Sequence, residues 1–284
     1  MRFRRGLGLL ALAWGLLLTG RSEGQVTVGL RLNFNTFILH EPIEAVVTLR
    51  NETSRDIPLG GEGGLRVGFQ VTESGGRSLA ARRSMEGVFP PVLPAQGMVS
   101  VTNLLSRFHD IRAQGQYTAL ARAEWGQTAF LSRPVFFDVV PGVEIQRMVV
   151  PLPDEEGERT FMLRTVNRGR AEHLLIRVDD ELNRLCYAVI DLGRMANRAP
   201  PEMKIDSAGQ AHVLFQSSPG QHVYAVCAPD GFLADRQVFG RDFRRASLAV
   251  DDVGTIFVRG APEEPGPPML RGQNEGMPVR RSAP

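Results

Sequence analysis

Five histidines, two cysteines and a few clustered carboxylates are the side chains of this 284-residue chain whose types and spacing bear on chemistry. His173 and His212 open similar tetrapeptides, HLLI and HVLF, as paired metal ligands on neighbouring strands would. A zinc site needs three or four ligands, and no further His, Cys or carboxylate stands at ligand spacing from either. The expectation is one strand position that recurs. His40, His109 and His222 are isolated, and no HExxH arrangement puts two histidines on one helical face. Asp179, Asp180 and Glu181 begin like a calcium loop, but Arg184 and Ile190 stand where its turn glycine and bidentate glutamate belong. A solvated turn is expected there, and also at Asp251-Asp252.

Nucleophiles fare no better. There is no G-x-S-x-G elbow, and Ser74 sits in the turn-like TESGG with no motif to supply its base. The run GGEGG at 60–64 lacks the Lys and Ser/Thr of a phosphate loop and carries a carboxylate in its middle, so it reads as a flexible loop. Asn51-Glu52-Thr53 is an N-x-T sequon, but the expected role of its asparagine is to cap a turn through its side chain. No catalytic, metal or cofactor-binding residue set is assigned, and no cofactor is implied.

Cys186 and Cys227 are the only cysteines, too few for a disulfide scaffold or a four-cysteine zinc site. Aligning Tyr187 with Tyr224 places them on the same face of corresponding strands. A disulfide between them would need Cα atoms ~4.4–6.8 Å apart. Closing a loop of about forty residues, it would contribute roughly 3–4 kcal/mol in the loop-entropy model.

The elements that must position these residues are strands. Val26, Val28, Leu30 and Leu32 alternate with polar residues, as do Ile43, Ala45, Val47 and Leu49, which marks strands with one buried face. Similar segments follow at 65–71, 98–105, 117–125, 128–131 and 135–140, separated by Gly, Pro and Ser turns. Residues 1–24 put Arg2, Arg4 and Arg5 before an apolar run from Gly6 to Leu18, the order of a secretory signal peptide and too short to span a bilayer. Export to the periplasm or beyond is therefore expected, without a membrane span after cleavage. Removing that leader leaves 29 basic against 30 acidic residues, which gives no global attraction to phosphate backbones and disfavours nucleic acid as a partner. Residues 260–284, rich in Pro and Gly, read as a disordered tail.

About seven short strands in residues 25–141 match the count of an immunoglobulin-like β-sandwich. The stretch HEPIEAVVTLRNETSRDIPL, with its EPI corner, alternating strand, RNxT turn and later LPAQG and GQY steps, resembles the immunoglobulin-like modules of secreted bacterial proteins, including the proteinase-inhibitor type and macroglobulin domains. That resemblance implies a fold and no activity. Beyond residue 141 the chain repeats itself: His173 to His212 and Tyr187 to Tyr224 recur at offsets of 39 and 37, and IDSAG at 205–209 recurs as VDDVG at 250–254. Residues 142–259 thus read as about two and a half blade-like units, whereas propellers close with about four to eight. Edges left open would be covered by the first domain, by homo-oligomerisation, or by packing as a meander in a second sandwich; the first and third are the expectation.

The expectation for function is an exported, non-enzymatic binding or structural module for a protein or glycan of the cell envelope. Its loops at 58–64 and 82–94 are the first surfaces to test. A protease inhibitor and a carbohydrate-active enzyme using Asp179 and Glu181, or Asp251 and Asp252, are the rivals. Neighbouring carboxylates on one strand flank a glycosidic bond poorly.

Overall fold

The computed structural model describes residues 25–83, 85, 87–152, 157–196, 199–240 and 246–260. The expected leader at 1–24, and the expected tail from 261 onward, lie outside the described residues. What is described is all-β.

In the first region the strands are β1 (Val26–Leu32), β2 (Thr36–Ile38), β3 (Glu44–Asn51), β4 (Ile57–Pro58), β5 (Arg66–Glu73), β6 (Ser78–Leu79), β7 (Val92–Leu93), β8 (Met98–Leu104), β9 (Gly115–Trp125), β10 (Thr128–Leu131) and β11 (Val135–Val140), with one turn of helix, α1 (Leu105–Phe108), after β8. Two sheets form, ordered β1-β3-β8 and β2-β11-β9-β5-β6, with β10 on β9 and a small β4-β7 pair. The chain crosses between the sheets at 33–35, because β1 pairs antiparallel with β3 whereas β2 runs parallel to β11. Alternation decides what lies between the sheets. Ala45, Val47 and Leu49 of β3 face Val71, Ala119, Ala121 and Phe137 in one core, and the intervening residues face out. Tyr117 stacks on Phe137 at 5.4 Å, and its hydroxyl donates to Ala113 O at 2.7 Å.

Asn51 ends β3 fully buried, with its backbone paired to Val26 and to Gly97 O (2.9 Å) and its side chain turned into the bend that follows. Nδ2 donates to Arg55 O (2.7 Å), Pro94 O (3.0 Å) and Leu93 O (3.3 Å), while Oδ1 accepts from Thr53 N (2.8 Å) and Thr53 Oγ1 (2.7 Å). The RNxT signature is thus a turn clamp that ties the β3 exit to the approach of β8, with every polar atom of the amide satisfied.

Residues beyond 141 form β12 (Val143–Pro151), β13 (Glu158–Arg168), β14 (Ala171–Asp180), β15 (Leu185–Met195), β16 (Glu202–Ile205), β17 (Ala211–Ser218), β18 (Gln221–Cys227), β19 (Leu233–Phe239), β20 (Ser247–Val250) and β21 (Ile256–Arg259). These make two four-stranded antiparallel meanders, β12-β13-β14-β15 and β16-β17-β18-β19, and a two-stranded sheet, β20-β21. They stack face on face. Phe161, Leu163, Leu174 and Ile176 of the first meander pack on Val213, Phe215, Val223 and Ala225 of the second. The second meander's other face, through Leu214, Tyr224 and Val226, packs on Leu248 and Ile256 of the half-sized sheet. The far face of the first meander, through Val166, Leu175 and Val189, packs on Ile38 and Val140 of the sandwich. At the crossing into β12, Gly142 has φ 70° and a Cβ there would meet Thr165 O at 3.0 Å and Ile38 Cγ2 at 3.1 Å, so a side chain would be both strained and tightly packed.

Two sequence alignments of the repeat fare differently. Asp206 and Asp251 occupy equivalent turns, between β16 and β17 and between β20 and β21. The His173/His212 and Tyr187/Tyr224 matches, by contrast, pair unlike strands: β14 and β15 are third and fourth in their sheet, β17 and β18 second and third. Successive strands carry the same apolar alternation, so a match on residue type slips by one strand without penalty.

Candidate functional site

Strand parity explains where the polar side chains of the first meander go. On β13, Phe161 and Leu163 point into the stack, so Val166 and Arg168 point to the sandwich. His173 lies opposite Val166, and Asp191 lies opposite Leu175, on that same outward face. From the sandwich, Phe34 and Glu41, flanking β2, meet them. Arg168 Nη2 donates to Glu41 Oε1 and Nη1 to Asp191 Oδ2, and the Arg168 side chain is only 2% exposed. Its guanidinium lies 4.0 Å from the centre of the Phe34 ring, a cation–π contact in a dry setting. Glu41 Oε2 also accepts from Ile38 N at 2.9 Å. Asp191 accepts from His173 Nδ1 at 2.9 Å and from Gly193 N at 2.8 Å, and the His173 ring meets Phe34 edge-on at 5.2 Å.

Burial raises the carboxyl of Glu41 above its ordinary pKa, against the pull of Arg168. For Asp191 burial also pushes up, but the hydrogen bond from His173 and the charge of Arg168 win, and its pKa is lowered. The arrangement is a closed ion-pair joint. An Asp–His pair can serve as the base of a nucleophilic triad, yet among the described residues no hydroxyl or thiol is hydrogen-bonded to His173.

Beside the joint opens a groove of about 420 Å³, formed by residues 30–35, Val135 and the Arg168-Gly169 turn. Asn33 and Asn35 are exposed on its rim together with Arg31, and half-buried Phe34 lies between the two amides.

Two more buried polar clusters sit at the other layer boundaries. Between the meanders, Arg159 pairs with Asp180 (3.2 Å) and donates to Tyr187 Oη (2.9 Å). Asp180 is buried, unlike the solvated turn residue expected, because its carboxylate also caps Asn183 N at 2.9 Å. Asp179 pairs with Arg177 and Glu181 with Arg147, so the carboxylates of that run point into separate ion pairs. On the outer face of the second meander, His212 bridges Tyr224 Oη (2.6 Å) and Asp206 Oδ2 (3.0 Å). Burial pushes the Tyr224 hydroxyl up to about 12.

Cys186 and Cys227 are not joined. Cys227 faces the core between the meanders, whereas Cys186 packs with Val166, Leu175 and Val189 on the opposite face of its sheet. The expected shared face rested on the slipped alignment. Burial pushes the Cys227 thiol up to about 12, which removes it as a nucleophile. The loops at 58–64 and 82–94 pack on each other: β4 pairs with β7, and Leu59, Leu65, Met85 and Phe89 enclose a pocket of about 50 Å³. Among the described residues no three His, Cys, Asp or Glu converge as metal ligands, and no helix is long and apolar enough to cross a membrane.

No family model and no curated relative matches the sequence. Among solved structures, the sporulation control protein Spo0M of Bacillus subtilis is similar at 10% identity and a TM-score of 0.28, over 61% of this chain and 91% of that one. The uncharacterized protein lmo2446 of Listeria monocytogenes EGD-e, solved with α-D-glucose, β-D-glucose, magnesium and calcium, gives 15% identity and a TM-score of 0.24, over 73% of this chain and only 18% of that one. Similarity at this level transfers no function.

Proposed function

We propose that the protein is an exported, non-enzymatic binding module in which an immunoglobulin-like sandwich is mounted on a short stack of blade-like sheets. The sandwich reading draws support from the strand order, with β2 crossing to the second sheet, and from the Tyr117 hydroxyl reaching back to Ala113 O as in a tyrosine corner. The observation that carries the functional reading is where the ionisable side chains are placed. Each main buried cluster of the stack bonds one layer to the next or caps a turn, and where one borders a groove, at Arg168, the guanidinium is already taken up by Glu41 and Asp191. The recognition surface we assign is the groove beside Arg168. Asn33, Asn35 and Arg31 offer donors around an aromatic ring, a set suited to the hydroxyls and carboxylates of an envelope glycan.

The test is retention of the protein on isolated envelope polysaccharide, with the double variant Asn33→Ala, Asn35→Ala beside wild type. Retention of the wild type and its loss in the variant, at unchanged melting temperature, is the expected result. Equal retention of both would remove the groove. Release of sugar or peptide product, abolished by His173→Ala, would make the protein an enzyme instead.

A further inference from the structure

The two-stranded sheet at the end of the stack is the first half of a repeat unit. Asp206 and Asp251 build the same turn bond for bond. In one, Asp206 N donates to Gln210 O and Gly209 N to Asp206 O, while Oδ1 accepts from Ala208 N and Gln210 N. In the other, Asp251 N donates to Thr255 O and Gly254 N to Asp251 O, while Oδ1 accepts from Val253 N and Thr255 N. The flanking registers agree as well, Ile205 opposite Ala211 and Val250 opposite Ile256. β20 and β21 therefore stand for β16 and β17. β17, the equivalent of β21, is paired on its other side with β18, whereas among the described residues β21 pairs with β20 alone.

We propose that β21 pairs with β21 of a second copy of this chain, so that two half-units make one four-stranded sheet about a two-fold axis. Several observations point to a second copy as the occupant. Both complete units of the stack have four strands, and two half-units supply that number. Free strand edges are templates for pairing, and a closed two-fold arrangement satisfies both edges at once. A two-fold axis perpendicular to the sheet keeps each residue on its own face, which permits Phe257 opposite Phe257 of the partner subunit and Ile256 opposite Val258 of the partner subunit. Ile256 and Val258 face the core shared with the second meander. Phe257 takes the place that polar His212 holds one unit earlier, yet it is 42% exposed, and pairing would cover it. In this register Arg259 lies across from Thr255 of the partner subunit, at the mouth of the turn that carries Asp251 and Asp252, so each end of the new pair joins opposite charges.

This inference stands apart from the groove, and its test does not use a glycan. Light scattering over a concentration series of the whole chain is expected to rise to twice the single-chain mass. Phe257→Lys, which sets like charges opposite each other, is expected to stay at the single-chain mass with an unchanged melting temperature. So is Phe257→Glu, while a mixture of the two is expected to recover the doubled mass. Phe257→Cys is expected to form a reducible covalent dimer under mild oxidation, and Ser247→Cys, on the other strand, is not. A single-chain mass at every concentration overturns the proposal, as does a doubled mass that survives Phe257→Lys. Slow exchange of the Ile256 and Val258 amides in a monomer would also overturn it, since these amides point away from β20 and the chain itself would then fill that edge.

Discussion

The sandwich and the stack use the same strands to solve different burial problems. In the sandwich the outer face of each sheet is largely wet, save where Ile38 and Val140 meet the stack, and β9 alternates buried with half-buried or exposed side chains along most of its length. In the stack the first meander is covered on both faces, and β13 is buried almost without interruption. A sandwich closes when its two sheets meet. A stack has two ends and goes on needing covers: the sandwich covers one end, and the half-sized sheet starts to cover the other. Sheets buried on both faces also strand polar side chains inside, and the buried polar clusters of the stack lie at its layer boundaries for that reason.

The comparison breaks hardest at the joint. Arg168→Ala leaves Glu41 buried, and Asp191 half-buried, without their cation, and a loss of about 3–5 kcal/mol is expected. Calorimetry should then show the transitions of the two regions further apart than in the wild type. Next come the cores. Leu174→Ala, which opens a hole between the meanders, is expected to cost about 2–5 kcal/mol, as is Leu49→Ala in the sandwich. Hydrogen exchange distinguishes them: Leu174→Ala should speed exchange in both meanders and Leu49→Ala only in the sandwich. Uniform acceleration in both variants would mean that the two regions are one folding unit.

Smaller effects sharpen the contrast. Asn51→Ala orphans buried carbonyls at the rim of the sandwich and should cost about 1–3 kcal/mol in urea unfolding, with no effect on the exchange of β17 or β18. Tyr117→Phe keeps the ring stack and removes one hydrogen bond, for about 0.5–1.5 kcal/mol. The smallest is a dependence on pH. Glu41, with its pKa raised in the fold, contributes stability below the ordinary carboxylate range that is lost as pH climbs through the raised value. Asp191, with its pKa lowered, contributes stability above the ordinary range that is lost as pH falls through the lowered value. In Glu41→Gln the decline on the alkaline side of the carboxylate range should vanish and the acid loss remain. A decline that persists in urea midpoints would assign it to another group.

What the sequence disclosed follows from the reach of each signal. Alternation in Ala45, Val47 and Leu49 is local, and it marked both the strand and its buried face. The turn role of Asn51 was legible too, because Asx turns are short-range. The joint was not. Arg168 and Glu41 are 127 residues apart, one beside a glycine turn and the other before a proline corner, where charges ordinarily face water. One clue was present: on a strand running through Phe161 and Leu163, Arg168 falls on the same face as Val166. Parity alone could have placed it opposite the sandwich, had β13 been known to extend that far. The repeat offsets were legible at the Asp-Gly turns, which have a fixed geometry, and misleading on the strands, which do not.

The burial of Asn51 also bears on manufacture. In a host whose secretory route adds glycans to N-x-T sequons, the amide that the enzyme seeks is the one the folded turn consumes. A glycan attached to the nascent chain would forbid the native turn, and a turn formed first would hide the acceptor. Yield there becomes a race between modification and folding, in which Asn51-Glu52-Thr53 records the winner.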